Sequence, residues 1–172
     1  MNTSKNNVAL VTGASDGIGA EFVEILAGRG YDLILVARRE EKLNELAVRL
    51  SDEFGVECTV MAADLSEPKA AQNLFQRIED RGLQVNFLIN NAGLLHNGFF
   101  ANLSLEAQEK MIQVNVIALT ALTHLYAAKM SSNGGGHILN VASLAGWMAI
   151  PNQNVYAASK AYVVSFSQAL SN

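Results

Sequence analysis

The chain has 172 residues, half of them hydrophobic and 16% charged, with 12 Lys and Arg against 16 Asp and Glu for a formal net charge of −4. That length and apolar content suit one folded domain, 1–172, that buries roughly 70% of its unfolded surface, and they exclude disorder. The acidic balance, with no basic stripe, argues against nucleic-acid binding, and the single cysteine, Cys58, excludes an internal disulfide.

Met1–Asn7 is polar, and no apolar run long enough for a signal peptide follows it, so the cytosol is the expected compartment. From Val8 onward, short apolar runs alternate with stretches of helical period. Strands are predicted at Val8–Thr12, Leu33–Val36, Glu57–Ala62, Phe87–Ile89 and His137–Val141. Helices are predicted at Gly17–Arg29, Glu40–Phe54, Glu67–Asp80 and roughly Ser104–Ser131, and a fifth begins at Val155. Gly28-Arg29-Gly30 and Asn133-Gly134-Gly135-Gly136 supply C-terminal stops, and Ser104 with Glu106 supplies an N-cap. The strands are too continuously apolar for a solvent-facing sheet. Alternating β and α therefore predicts a parallel sheet covered on both faces, with Cys58 a buried strand residue. Val114–Met130 leans apolar, but Asn115, Thr120, Thr123, His124 and Lys129 interrupt it, so it does not read as a membrane span. His96, His124 and His137 lack a metal-ligand spacing and imply no metal.

Between the first strand and first helix stands Thr12-Gly13-Ala14-Ser15-Asp16-Gly17-Ile18-Gly19. A loop so placed aims backbone N–H groups and the positive helix end at a diphosphate, which makes Gly13, Ser15, Gly17, Ile18 and Gly19 candidate cofactor contacts. Gly13 permits the tight turn, Gly17 the approach of phosphate, and Gly19 close packing of helix on sheet. A purely structural glycine turn is the plainer alternative. No Lys-Ser/Thr follows, as a P-loop needs, and the chain has no G-x-S-x-G elbow. An NAD site would carry an acid at the end of the second strand; Ala37 stands there instead, followed by Arg38-Arg39. Two arginines at a helix start oppose its dipole unless an anion sits between them, and a 2′-phosphate is such an anion. The competing reading is a solvated pair offset by Glu40-Glu41. Asp16 works against NADP by placing a carboxylate near that phosphate.

Near the C-terminus, Tyr156-Ala157-Ala158-Ser159-Lys160 puts a phenol and an ammonium on one helical face. At roughly 5 Å and an effective dielectric of about 20, that charge favours the phenolate by about 3 kcal/mol, which brings Tyr156 within reach of acid–base work.

With these residues in place, the chain resembles the short-chain dehydrogenase/reductase family in its main branch. The T-G-x-x-x-G-I-G spacing, Asp64, Asn90-Asn91-Ala92-Gly93, Asn115, Ser143 and Tyr156-x-x-x-Lys160 occur in the family's order, from Thr12 to Lys160. Singly, an exposed Tyr–Lys pair, a helix-capping Ser143 or a core Asn115 would be unremarkable; the ordered set is specific. The resemblance implies a Rossmann-type doubly wound sheet of order 3-2-1-4-5. It implies carbonyl–alcohol interconversion with a nicotinamide cofactor, and Ala37 with Arg38-Arg39 favours NADP(H) over NAD(H). It gives Tyr156 the proton, Ser143 a hydrogen bond to the substrate oxygen, and Lys160 the ribose hydroxyls and the easing of proton loss from Tyr156. Asn115 would position a water that relays protons to Lys160. Asp64 and Leu65 would meet the adenine, with Asn91, Ala92 and Gly93 bordering the cleft.

Trp147, Met148, Ile150, Pro151, Leu94, Leu95, Phe99 and Phe100 suit either a partly apolar small-molecule carbonyl substrate or a neighbouring subunit. The resemblance also implies further strands and a substrate lid that this sequence lacks. A chain of this length is therefore expected to be aggregation-prone and weak as a reductase, with the fifth strand an unprotected edge. Homo-oligomerisation through Ser104–Ser131 is expected of the longer form. The alternatives are a cofactor-binding or oligomerisation module without turnover and, less favoured by the glycine spacing, an epimerase or dehydratase.

Overall fold

The computed structural model describes residues 7–171; of the polar start Met1–Asn7, only Asn7 lies among them. Five strands, β1 (Val8–Thr12), β2 (Asp32–Ala37), β3 (Cys58–Ala62), β4 (Val85–Asn90) and β5 (His137–Asn140), form one parallel sheet of order β3-β2-β1-β4-β5. The helices are α1 (Gly17–Ala27), α2 (Glu40–Phe54), α3 (Ala70–Glu79), α4 (Leu105–Ile112), α5 (Leu119–Ser132) and α6 (Asn154–Leu170). This is the doubly wound Rossmann-type architecture and order expected from the sequence.

Strand alternation sorts the core into two layers. Ala9, Val11, Leu33, Leu35 and Ile89 meet Val23 and Leu26 of α1 and Leu43 and Leu50 of α2. Leu10, Ile34, Val36, Met61 and Leu88 face the other way, onto Leu74 and Ile78 of α3 and onto Leu122 and Tyr126 of α5. Burial on both faces is why these strands read as unbroken apolar runs. The β1–β4 register shifts after Val8, and the side-chain oxygen of the skipped residue, Asn86, accepts the Val8 N–H at 2.9 Å.

Three departures from the predicted elements have local causes. α3 begins at Ala70 rather than Glu67, because Asp64 Oδ1 turns the chain by accepting Ser66 N–H at 2.9 Å and Lys69 takes a left-handed φ of 61°. The fourth predicted helix is one run, Leu105–Ser132, interrupted by a π turn at Gln113–Ala118. By length and composition that run could cross a bilayer; here Met111, Val114, Leu119, Leu122 and Met130 spend its apolar side on the core. Coverage on both faces holds for β1–β4 but not for β5, whose His137 and Leu139 are exposed at the sheet edge. Cys58 is half-buried rather than buried, and burial pushes its thiol up. All three histidines are exposed, and no metal-holding cluster exists among the described residues.

Tyr126 packs edge-on against Phe75 at 5.1 Å, and its buried hydroxyl has no hydrogen-bond partner among the described residues. Burial, with the Glu79 charge second, pushes the phenol far up. Replacing an unpaired buried hydroxyl with hydrogen removes a desolvation cost. Tyr126→Phe should therefore leave stability unchanged or raise it by about 1 kcal/mol in urea unfolding. A clear loss would mean that the hydroxyl is bonded.

Candidate active site

The site lies at the C-terminal ends of the strands, where the order reverses between β1 and β4, the usual place for a ligand in such sheets. Two loops meet there. Thr12 Oγ1 accepts the N–H groups of Asn91 and Ala92, both at 3.0 Å, and donates its own proton to the Ile89 carbonyl at 3.3 Å. In return, Asn91 Nδ2 donates to the carbonyls of Thr12 at 3.0 Å and Gly13 at 3.3 Å. The glycine loop is thus tied to the loop after β4.

Gly13 (φ 69°) and Gly17 (φ 52°) hold left-handed conformations that favour glycine. Around Gly17 nothing lies within 4 Å of a would-be Cβ, so the approach to that backbone is open. Gly19 differs from its expected role. A Cβ there would stand 2.1 Å from the Gly13 carbonyl oxygen and 2.5 Å from Asn91 Nδ2, so it is the loop itself, rather than the sheet, that demands glycine.

A cleft of about 350 Å³ opens beside this loop. It is lined by Gly13, Ser15, Ile18, Arg38, Arg39, Asp64, Leu65, Asn91, Ala92 and Gly93 from the sequence-predicted set, with Asp16 and Ala37. Gly17 and Gly19 are not among its walls. Asp16 caps α1, accepting the Gly17 N–H at 2.9 Å, and pairs with Arg39 at 3.1 Å. The Arg39 hydrogen bond first, then the Gly17 N–H and the charges of Lys42 and Arg39, hold its carboxyl below the usual range. Partial burial raises the Asp64 carboxyl, but hydrogen bonds from Ser66 and the charges of Arg38 and Lys110 outweigh it and leave it lowered. Asp32 sits at the far end of β2, where its Oδ1 accepts the Glu57 N–H.

The predicted catalytic residues gather at the other side of Gly93. Lys160 is 4% exposed, donates from Nζ to the Val141 carbonyl at 2.7 Å and lies 5.9 Å from the centroid of the Tyr156 ring. Burial lowers its ammonium below the ordinary 10.5. A Cβ on Gly93 would come within 3.7 Å of Lys160 Nζ and 3.5 Å of Asn115 Oδ1, so this glycine joins the cleft to the buried lysine. The Ser143 hydroxyl accepts the Ala145 N–H at 3.2 Å, capping a short 3₁₀ turn, Leu144–Gly146, and keeps its own proton to donate. That turn lies against α6: a Cβ on Gly146 would stand 2.7 Å from the Lys160 carbonyl oxygen.

Asn115 lies in the π turn, and its side chain is fully engaged. Oδ1 accepts the Leu94 N–H at 2.8 Å, while Nδ2 donates to the Leu94 carbonyl at 2.9 Å and to Ser159 Oγ at 3.0 Å. Ser159 Oγ donates in turn to the Tyr156 carbonyl at 2.7 Å. Sequence reasoning overlooked Ser159, hidden between Tyr156 and Lys160, and the buried chain Thr123–Asn90–Asn140–Ser167 that links α5, β4, β5 and α6. A polar residue inside an apolar run was the available signal for Asn90 and Asn140. Leu144 (81%), Trp147 (69%), Met148, Phe99 and Phe100 are exposed, and the Gly98 N–H bonds the Asn152 carbonyl at 2.9 Å between the two apolar segments.

The profile of the short chain dehydrogenases matches residues 7–172. The chain belongs to the short-chain dehydrogenase family. It is 35% identical over 161 residues to a 7beta-hydroxysteroid dehydrogenase of Collinsella aerofaciens, covering 94% of this chain and 60% of that one. It is 39% identical over 167 residues to a very-long-chain 3-oxoacyl-CoA reductase of Phaeosphaeria nodorum, covering 94% of this chain and 49% of that one. A short-chain dehydrogenase from Sphingobium yanoikuyae, solved in complex with NADPH, superposes with a TM-score of 0.90 at 39% identity, covering 95% of this chain and 64% of that one. The chain thus spans about half to two-thirds of the length of the relatives it matches.

The Thr12 clamp gives the site a sharp stability test. Thr12→Val keeps the shape but leaves the Asn91 and Ala92 N–H groups without their acceptor, at about 1–3 kcal/mol for each. Denaturant unfolding should show a loss of about 2–6 kcal/mol, with Thr12→Ser recovering most of it.

Proposed function

We propose that this chain forms the cofactor cleft and proton-transfer site of an NADP(H)-dependent reductase that interconverts a partly apolar carbonyl compound and its alcohol. The observation that carries the reading is the buried Lys160 ammonium, beside the Tyr156 ring and in contact with the cleft through Gly93. The residues present fit a nicotinamide dinucleotide. The backbone at Gly17 is open, the walls of the cleft come from the ends of β1, β2 and β4, and Ala37 leaves Arg38 and Arg39 where an NAD site would carry an acid. The NADPH complex of the Sphingobium protein supports the same choice.

Gly13, Ser15, Ile18 and the N-terminus of α1 would hold the diphosphate, Arg38 and Arg39 the 2′-phosphate, Asp64 and Leu65 the adenine, and Asn91, Ala92 and Gly93 the inner part. When bound, the cofactor supplies the hydride. Tyr156 gives its proton to the substrate oxygen, and the Ser143 hydroxyl donates a hydrogen bond to that oxygen. The Lys160 ammonium stabilises the charge left on Tyr156. Asn115 acts through its side chain to fix Leu94 and Ser159, while a water held near it would return protons towards Lys160. The steroid and very-long-chain acyl compounds in the relatives' names, with the exposed Leu144, Trp147 and Phe99, favour an apolar substrate. That same exposure also suits a second reading, a cofactor-binding module without turnover.

Carbonyl-reduction assays combined with cofactor titration test this reading. Tyr156→Phe should lower kcat by roughly 10²–10⁴-fold with NADPH binding kept. Arg38→Ala should weaken NADPH far more than NADH. Equal weakening would undo the cofactor assignment, and NADPH binding without turnover by any carbonyl would favour the module. The pH profile adds a second check. Lys160 is charged below its pKa, and burial lowers that value from 10.5, so the ammonium is lost earlier than from an exposed lysine as pH rises. The alkaline limb of kcat/KM should therefore fall at a pH below 10.5.

A further inference from the structure

Arg39 is already engaged at the rim where the reading above places the 2′-phosphate. Its Nη2 stands 3.1 Å from Asp16 Oδ2 and 3.5 Å from Ser15 Oγ. The other Asp16 oxygen accepts the Gly17 N–H at 2.9 Å, so both oxygens of this carboxylate are occupied. Arg38, the preceding residue, has no ion pair within 4.0 Å among the described residues, and all four side chains line the same cleft. The pair is also solvent-exposed, 53% for Arg39 and 74% for Asp16, so exchanging one anion for another there needs little rearrangement.

Resting on the NADP(H) reading, we propose that Asp16 is a specificity-determining residue that competes with the 2′-phosphate for Arg39 and so moderates the preference for the phosphorylated dinucleotide. A phosphate that takes Arg39 must displace a partner already in place, and the displaced carboxylate stays nearby. The Gly17 N–H holds it at the start of α1, well inside the screening length of about 8 Å. Arg38 has no hydrogen-bonded carboxylate to displace: the Asp64 carboxylate, which feels its charge, is bonded to Ser66 instead. Discrimination between the two dinucleotides therefore comes mainly from Arg38, and Asp16 tempers the share that Arg39 contributes. NADH lacks the phosphate and leaves the Asp16–Arg39 pair intact.

Fluorescence titration of NADPH and of NADH into the wild type, Asp16→Asn, Arg39→Ala and the double variant tests this without turnover. Asparagine caps a helix as well as aspartate does, so α1 should keep its start, which thermal melting verifies. Asp16→Asn should tighten NADPH by roughly two- to fivefold, the range expected of an exposed ion pair, and leave NADH nearly unchanged. In the Arg39→Ala background that gain should largely vanish, and in the single variant it should shrink as salt is added. Weaker NADPH binding by Asp16→Asn would overturn the proposal, because Asp16 would then be orienting Arg39 rather than withholding it. Equal tightening of both dinucleotides would overturn it too, by placing the effect at the shared diphosphate. A wild type that binds NADH and ignores NADPH would overturn the cofactor reading itself, and this proposal with it.

Discussion

Everything at the site depends on keeping one ammonium out of water. A buried charge is tolerated only where fixed dipoles replace its hydration. For Lys160 the Val141 carbonyl is that dipole, and Val141 is held in place by its own N–H, which donates to the Asn90 carbonyl. The lysine on α6 thus reads the position of β5, and β5 reads that of β4. Beside it, Gly146 leaves out an atom that would crowd the Lys160 carbonyl, and the Gly93 backbone runs next to Nζ. The local turn carrying Tyr156 is tied in by Ser159 and, through it, by Asn115.

The polar residues buried beneath extend this logic. Asn90 donates to Thr123 and Asn140, and Asn140 donates to Ser167, so two strands and two helices share one hydrogen-bonded chain. An apolar core would have been simpler to fill but would not fix register between α6 and β5 as narrowly. Hydrogen bonds need specific distances, whereas hydrophobic contacts tolerate sliding. The glycine-loop half of the site uses the same device, with Thr12 and Asn91 exchanging bonds between loops.

What the sequence disclosed follows from which forces are local. β1 and α2 were legible to the residue because apolar runs and helical period are local patterns, and the sheet order followed once the family resemblance was recognised. Most cleft-lining residues came the same way, each in a motif of short span, while Val36, Ala63 and Val114 line the cleft without standing in any of those motifs. The π turn around Asn115 was not legible, because it inserts a residue into a helix without any break in composition. Ser159 and the Asn140–Ser167 bond were hidden for another reason: their partners are distant in sequence, and only the fold brings them together. Gly19 was read as packing on the sheet, whereas the backbone of its own loop constrains it.

The bonds between Thr12 and the loop after β4 cross 79 and 80 residues of chain. β1 pairs with β2 through one short crossover, whereas its pairing with β4 spans the whole β2–α3 segment. Closing so long a loop is entropically late, since non-local pairing must overcome chain entropy before its contacts form. The cleft is therefore a product of long-range pairing, and a ligand that bound across both loops would bind only chains in which β1 and β4 are joined. A cofactor bound there would draw the folding equilibrium towards the finished molecule.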